Sequence, residues 1–316
     1  MSEADGAAMS WDVLCVGESM GLVTPDPPAP LRHGPPLRLE VAGAESNVAS
    51  WLAQLGAKVG WRSRLGADPF GELIRARLAA AGVDTSEVVV DQQAPTGIYF
   101  KDPAADGATT VYYYRRGSAA AAMDRRLLAD APAARVVHLS GITAALSGSC
   151  ADLLHHALAE RPAPGALMSF DINYRPALWP VAQAGPALAK LAAAADLVFV
   201  GRDEAQVLWG TATVDEVRAR LPEPTTLVVK DGPVGATAYH GDDRFTVPAP
   251  PVTVVEPVGA GDAFAAGYLW GVLNDAAPAA RLRLGHLLAG CALRTAGDIG
   301  ELPTAAELAA AMQEGR

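Results

Sequence analysis

Short runs of uninterrupted apolar residues, set between longer helical patterns, constrain this chain more than any other feature. Residues 197–200 read Leu-Val-Phe-Val and 227–230 read Leu-Val-Val-Lys. A strand with one wet face alternates apolar and polar residues. A continuous apolar run fits a strand buried on both faces, as in a parallel sheet covered by helices. Strand-like stretches recur at 11–16, 59–65, 135–139 and 166–171, and helical patterns at 47–55, 68–81, 151–159, 183–194, 260–273, 279–296 and 304–313. Local punctuation supports the helices. Gly56 closes the first, Asp68 caps the second with Pro69 at its first position, and Gly82 ends it. The alternation predicts a doubly wound α/β sheet with right-handed crossovers.

Two segments break the rhythm. Residues 25–39 are dense in proline, and 96–116 read as two strands, 96–101 and 109–114, joined by a turn-like 102–108. These predict an antiparallel appendage on the main sheet, with segments at about 22–42 and 92–118. No internal repeat or long linker calls for a second domain. The expected organisation is a small, polar, disordered leader over 1–10 and a single domain over 11–316.

Half of the 316 residues are hydrophobic and 19% are charged, enough to build a core. The net charge of −10, with no Lys/Arg-rich block, argues against nucleic acid as a partner. The three cysteines, Cys15, Cys150 and Cys291, are far apart and match neither a disulfide framework nor a zinc pattern. No apolar stretch reaches the ~18 residues needed to span a bilayer, and the first ten residues lack an apolar signal core. The expected location is the cytoplasm, with no membrane partner.

The strongest chemical signal is Glu256-Pro257-Val258-Gly259-Ala260-Gly261-Asp262, followed by a helical pattern. Small residues at 259–261 let successive backbone N–H groups converge at a helix N-terminus, an arrangement that stabilises a phosphoryl group in flight. Asp262 is then placed to accept a proton from an attacking hydroxyl. A Gly-rich turn with an aspartate cap would read the same. Phe264 stands where a dinucleotide fingerprint needs a third glycine, and no G-x-x-x-x-G-K-[ST] loop exists.

Other elements are open to two readings. Lys230-Asp231-Gly232-Pro233-Val234-Gly235 follows a buried strand and suits either a nucleotide phosphate or a tight β-turn. Glu204 could hold a Mg²⁺-bound water or be an ordinary surface carboxylate. Gly43 and Asn47 open a helix, as a polar substrate site or as a plain cap. Tyr99, Tyr113, Arg115 and Arg175 suit a carboxylate-bearing polyol, because guanidinium forks match carboxylates, or else surface pairing. Strand alternation puts Tyr113 and Arg115 on one face.

Taken in order, 43–47, Leu65-Gly66-Ala67-Asp68-Pro69-Phe70-Gly71, the appendage strands and the late Gly-Ala-Gly-Asp resemble the ribokinase-like (PfkB) carbohydrate kinase family from Val13 to about Leu308. The resemblance implies a three-layer α/β/α fold with a small β-lid, and ATP and Mg²⁺, with a monovalent cation such as K⁺ as an addition. It implies Asp262 as base, with Gly259, Ala260 and Gly261 as the anion hole. Thr96-Gly97-Ile98-Tyr99, Tyr113-Tyr114-Arg115-Arg116-Gly117-Ser118-Ala119, Leu139-Ser140-Gly141-Ile142, Asp171-Ile172-Asn173-Tyr174-Arg175 and Gly297-Asp298 are similar to the branch acting on 2-keto-3-deoxy sugar acids. That similarity places Gly43, Asn47, Tyr99, Tyr113, Arg115, Ile142, Arg175 and Asp298 around the sugar. Lys230, Gly232, Gly235 and His286 fall on the nucleotide side, with Glu204 on the metal through water. It also implies dimerisation through the lid.

Some positions depart from the family pattern. Glu256 replaces the usual Asp, Gly201 the usual Asn or Ser, and His286 the usual Asn; Leu22 stands where many neutral-sugar kinases carry a sugar-binding Asp. The expected reaction is ATP-dependent phosphorylation of a hydroxyl of 2-keto-3-deoxygluconate or a related sugar acid. A fructokinase-type enzyme is the alternative, and a non-catalytic nucleotide or sugar sensor is the reading from a different class.

Overall fold

The computed structural model describes residues 11–104, 108–131, 133–295, 297 and 299–313. The leader expected over 1–10 and the expected sugar ligand Asp298 therefore lie outside the described residues.

The apolar runs form an eight-stranded sheet. Its order is Asp243–Pro248, Gly235–His240, Thr226–Asp231, Leu197–Gly201, Leu167–Asp171, Ala134–Ser140, Trp11–Val16 and Val59–Arg62. Thr226–Asp231 through Val59–Arg62 pair in parallel, and the two outer hairpin strands pair antiparallel. Alternation within the central strands feeds two cores. Val198 and Val200 pack among helices Gly148–Glu160 and Val181–Ala193 on one face, while Leu197 and Phe199 pack among Ala44–Gln54, Ala260–Leu273 and Pro278–Leu293 on the other. This two-sided burial is the physical reason these strands stay apolar over 197–200 and 227–229, with Lys230 falling near the end of its strand.

Helix Ala260–Leu273 is buried nearly all round. A Cβ on Gly267 would come within 2.3 Å of the Leu284 carbonyl oxygen, so the glycine lets the two central helices touch.

The structure differs from the sequence reading in three places. The stretch 59–65 is two strands, Val59–Arg62 in the main sheet and Arg64–Gly66, which pairs with Val89–Asp91 in a separate ribbon. The appendage is a mixed sheet rather than an antiparallel one. Met20–Pro25 pairs parallel with Ile98–Pro103, and antiparallel with Leu37–Ala42; Thr109–Tyr114 closes the other edge. The parallel pair arises because its strands come from the two separate segments, which no local pattern reveals. The hairpin strands after 231 and the short helices Arg202–Trp209 and Val214–Arg220 also lacked a legible period.

Candidate active site

The parallel strands end on one side of the sheet, where open α/β folds gather ligands. Beyond Val16 stands Glu18, beyond Ser140 stands Ile142, beyond Asp171 stands Arg175, and beyond Gly201 stands Glu204. Asn173, at φ 43°, turns the chain there, and its N–H donates to Asp171 Oδ1 at 3.1 Å. Asparagine tolerates this left-handed conformation better than most residues, so the turn that presents Arg175 has a local cause.

A cleft of about 120 Å³ opens between this edge and the lid. Gly43, Tyr113, Arg115, Ile142 and Arg175 line it together with Glu18. Five of the residues expected around the sugar thus converge on one space. Tyr99 stands behind them, its ring 5.5 Å from that of Tyr113. Gly43 lacks a side chain for steric reasons: a Cβ there would fall 2.4 Å from the Glu18 carbonyl oxygen.

The two arginines differ in availability. Arg115 is gripped by Glu18, which also accepts from Ser118 Oγ at 3.1 Å, and its guanidinium lies 5.6 Å from the Tyr113 ring centre. Burial pushes the Glu18 carboxyl up, and Arg115 and Ser118 offset only part of that rise. Arg175 keeps 48% of its side chain exposed and stands 3.5 Å from Glu204 Oε1. Arg175 is therefore the more open cation of the pair.

One helical turn from Gly43, Asn47 Nδ2 donates to Asp262 Oδ2 at 2.9 Å. Asp262 sits in the first turn of helix Ala260–Leu273, whose N-terminal end is Gly259 at φ 82°. A side chain at 259 would be strained there, so glycine sets the turn. Gly261 has a different reason to be small. A Cβ on it would point toward Lys230 Nζ, 3.5 Å away, into the space between the turn and that ammonium.

Lys230 Nζ contacts Asp171 Oδ2 at 2.7 Å. Burial would lower its pKa, but the Asp171 and Glu204 carboxylates outweigh burial and raise it, which keeps the ammonium charged. Glu204 accepts from the Gly201 N–H at 2.8 Å, and its carboxyl is pushed up by burial and then by Asp171. No group of three metal-ligating side chains occurs among the described residues.

The other residues expected on the nucleotide side have local partners. Gly232, at φ 49°, turns the hairpin between Thr226–Asp231 and Gly235–His240, and a Cβ on Gly235 would meet the Val247 carbonyl oxygen at 2.5 Å. His286 Nε2 lies 3.1 Å from the Val247 carbonyl oxygen, with the ring edge-on to Phe264.

Sequence reasoning did not single out Glu18, Asp171 or Lys101. Each had a weak signal. Glu18 and Asp171 are acids at the ends of buried strands, and Lys101 is a lone cation in an aromatic strand.

Comparison with known proteins bears on the family and the fold. A model of the pfkB family carbohydrate kinase matches residues 11–305. The 2-dehydro-3-deoxygluconokinase of Bacillus subtilis (strain 168) is 33% identical over 311 residues, covering 95% of each chain. A PfkB protein from Polaromonas sp. JS666 superposes with a TM-score of 0.83 at 35% identity, covering 95% of this chain and 99% of that one. A fructokinase with bound ATP from Xylella fastidiosa gives a TM-score of 0.83 at 26% identity, covering 95% and 97%.

Proposed function

The chain belongs to the pfkB family of carbohydrate kinases and is an ATP-dependent sugar kinase, and we propose that its acceptor is a hydroxyl of 2-keto-3-deoxygluconate or a closely related sugar acid. The observation that carries this reading is Arg175, a half-exposed guanidinium on the wall of a cleft whose other arginine is already neutralised by Glu18. A neutral sugar would leave that cation with only its 3.5 Å contact to Glu204 Oε1. A carboxylate would meet it with charge-assisted hydrogen bonds. The similarity to the Bacillus enzyme supports the same acceptor class.

In this mechanism the sugar lies under Tyr113 with its carboxylate on Arg175 and its reacting hydroxyl toward Asp262. Asp262, oriented by Asn47, takes the hydroxyl proton as the oxygen attacks the γ-phosphorus. The bond from phosphorus to the bridging oxygen breaks, and ADP leaves with the electron pair. The N–H groups of 259–261 and the charged Lys230 stabilise the transferring group. The metal ion, which we assign as Mg²⁺, would neutralise charge on the phosphates when bound, and Glu204 would hold it through one of its waters.

The partners follow from the same reading. Leu37, Leu39, Tyr112 and Tyr114 leave the lid 51%, 47%, 48% and 64% exposed, and we assign this apolar face to a homodimer formed through the lid. No helix among the described residues is long and apolar enough to cross a membrane, and we place the reaction in the cytoplasm.

ADP release measured across neutral sugars and sugar acids tests the acceptor. The expected result is a higher kcat/KM for 2-keto-3-deoxygluconate than for fructose or ribose. Preference for fructose would leave the kinase and remove the sugar acid.

A further inference from the structure

The lid and the phosphate turn are joined by one ion pair that the mechanism above does not use. Lys101 Nζ lies 3.1 Å from Glu256 Oε2, with side chains only 12% and 27% exposed. The two residues are 155 positions apart. Lys101 belongs to lid strand Ile98–Pro103, two residues beyond Tyr99, and so shares its face. In that register Tyr99 pairs with Tyr113, a wall of the cleft, and Lys101 with Val111. One lid face therefore covers the sugar cleft and, a step further along, reaches the turn.

Glu256 is held on its other side as well. Its Oε1 accepts the N–H of Val258 at 3.3 Å, just before Gly259 begins the turn. The segment is otherwise thinly supported. Val254, Val255 and Val258 are 54%, 61% and 40% exposed, with the N–H groups of Val255 and Glu256 donating to the Leu293 carbonyl. A carboxylate in this position has two consequences. It shapes the turn through Val258, and it places a negative charge beside the place where phosphates must enter. Lys101 offsets that charge and fixes the side chain. Exposed ion pairs contribute little, but this one is largely shielded from water.

We propose that Lys101 is a positioning residue supplied by the lid: by neutralising and anchoring Glu256, it holds the 256–262 turn in its phosphate-accepting shape. This inference rests on the reading that the turn cradles the phosphoryl group. It makes lid placement over the sugar and order at the phosphate end parts of one contact.

The test is a double-substitution cycle with Lys101→Met and Glu256→Gln, assayed with an acceptor that the wild type turns over. Lys101→Met should lower kcat/KM for ATP by roughly tenfold, the scale of coupling between contacting residues. The KM for the sugar should stay within about threefold, and Lys101→Arg should restore most of the loss. In the Glu256→Gln background the same Lys101 substitution should cost less than about threefold, because its partner charge is gone. Equal losses in both backgrounds, or a sugar KM that rises as much as that for ATP, would overturn the proposal. If Lys101→Met does not fold, Glu256→Asp decides. Withdrawing the carboxylate by one methylene should lower kcat/KM for ATP at least about threefold, and an unchanged value overturns the proposal. Gly261→Val separates the two readings. If it leaves ATP turnover intact, the phosphate-turn reading fails and the role of Lys101 falls with it. If it abolishes turnover while Lys101→Met changes nothing, only the role of Lys101 fails.

Discussion

Asn47 and Asp262 lie 215 residues apart in sequence and share a 2.9 Å hydrogen bond between the first turns of two helices. The bond orients the carboxylate next to a helix whose preceding residue, Gly43, lines the cleft proposed for the sugar. Asp262→Asn keeps a carbonyl oxygen that can accept the same bond, so substrate binding should survive. The kcat should fall by at least ~10²-fold, the scale of a positioned general base. Steady-state kinetics alongside calorimetric ATP binding check this, and a kcat within a few-fold of wild type would remove Asp262 from the proton transfer.

Gly261 faces Lys230 across the space proposed for the phosphate. Val at 261 places branched methyl groups in that space without requiring a forbidden backbone angle, since only Gly259 in the turn has a left-handed φ. Turnover should drop far more than thermal stability. A melting temperature lowered sharply with kcat preserved in the folded fraction would show that the glycine serves packing alone.

The two arginines should fail differently. Arg175→Met should cost the acid sugar roughly 1.5–3 kcal/mol in kcat/KM, as for a charge-assisted hydrogen bond, with residual neutral-sugar turnover much less affected. Arg115→Met strands Glu18, which is 3% exposed, without its cation. Breaking a buried pair in this way costs about 3–5 kcal/mol, so all substrates and the melting temperature should fall together. Identical selectivity changes in both variants would argue against separate roles.

Glu45 predicts a pH dependence of stability. It lies 1% exposed at the start of helix Ala44–Gln54, and burial pushes its carboxyl up to about 7 from 4.5, against hydrogen bonds that include one from Thr143 Oγ1 at 3.0 Å. The folded state thus binds the proton more tightly than the unfolded chain. The resulting stability is fully present below about pH 4.5 and is lost as pH rises toward about 7. The shift corresponds to about 3 kcal/mol at most. Denaturant titrations across this window should show Glu45→Gln losing less stability with rising pH than wild type. Parallel curves for the two proteins would show that Glu45 is not protonated in the fold.

Local chemistry made much of this protein legible in its sequence. The runs at 197–200 and 227–230 could be buried on both faces only in a covered parallel sheet, and Asp68-Pro69 marked a helix start. The small residues at 259–261 ahead of Asp262 marked the tight turn into a helix that is proposed to cradle the phosphate, because backbone convergence at a helix end depends on adjacent residues. Tertiary structure decided what those side chains meet. Glu18 neutralises Arg115 across 97 positions, Asp171 neutralises Lys230 across 59, and Glu256 takes Lys101 across 155. The sequence offers Arg115 and Arg175 as equal carboxylate binders, and only folding distinguishes the buried cation on Glu18 from the half-exposed one near Glu204. The reason is physical: propensity and periodicity act over a few residues, whereas a charge responds to whichever groups the chain's topology brings within a few ångströms.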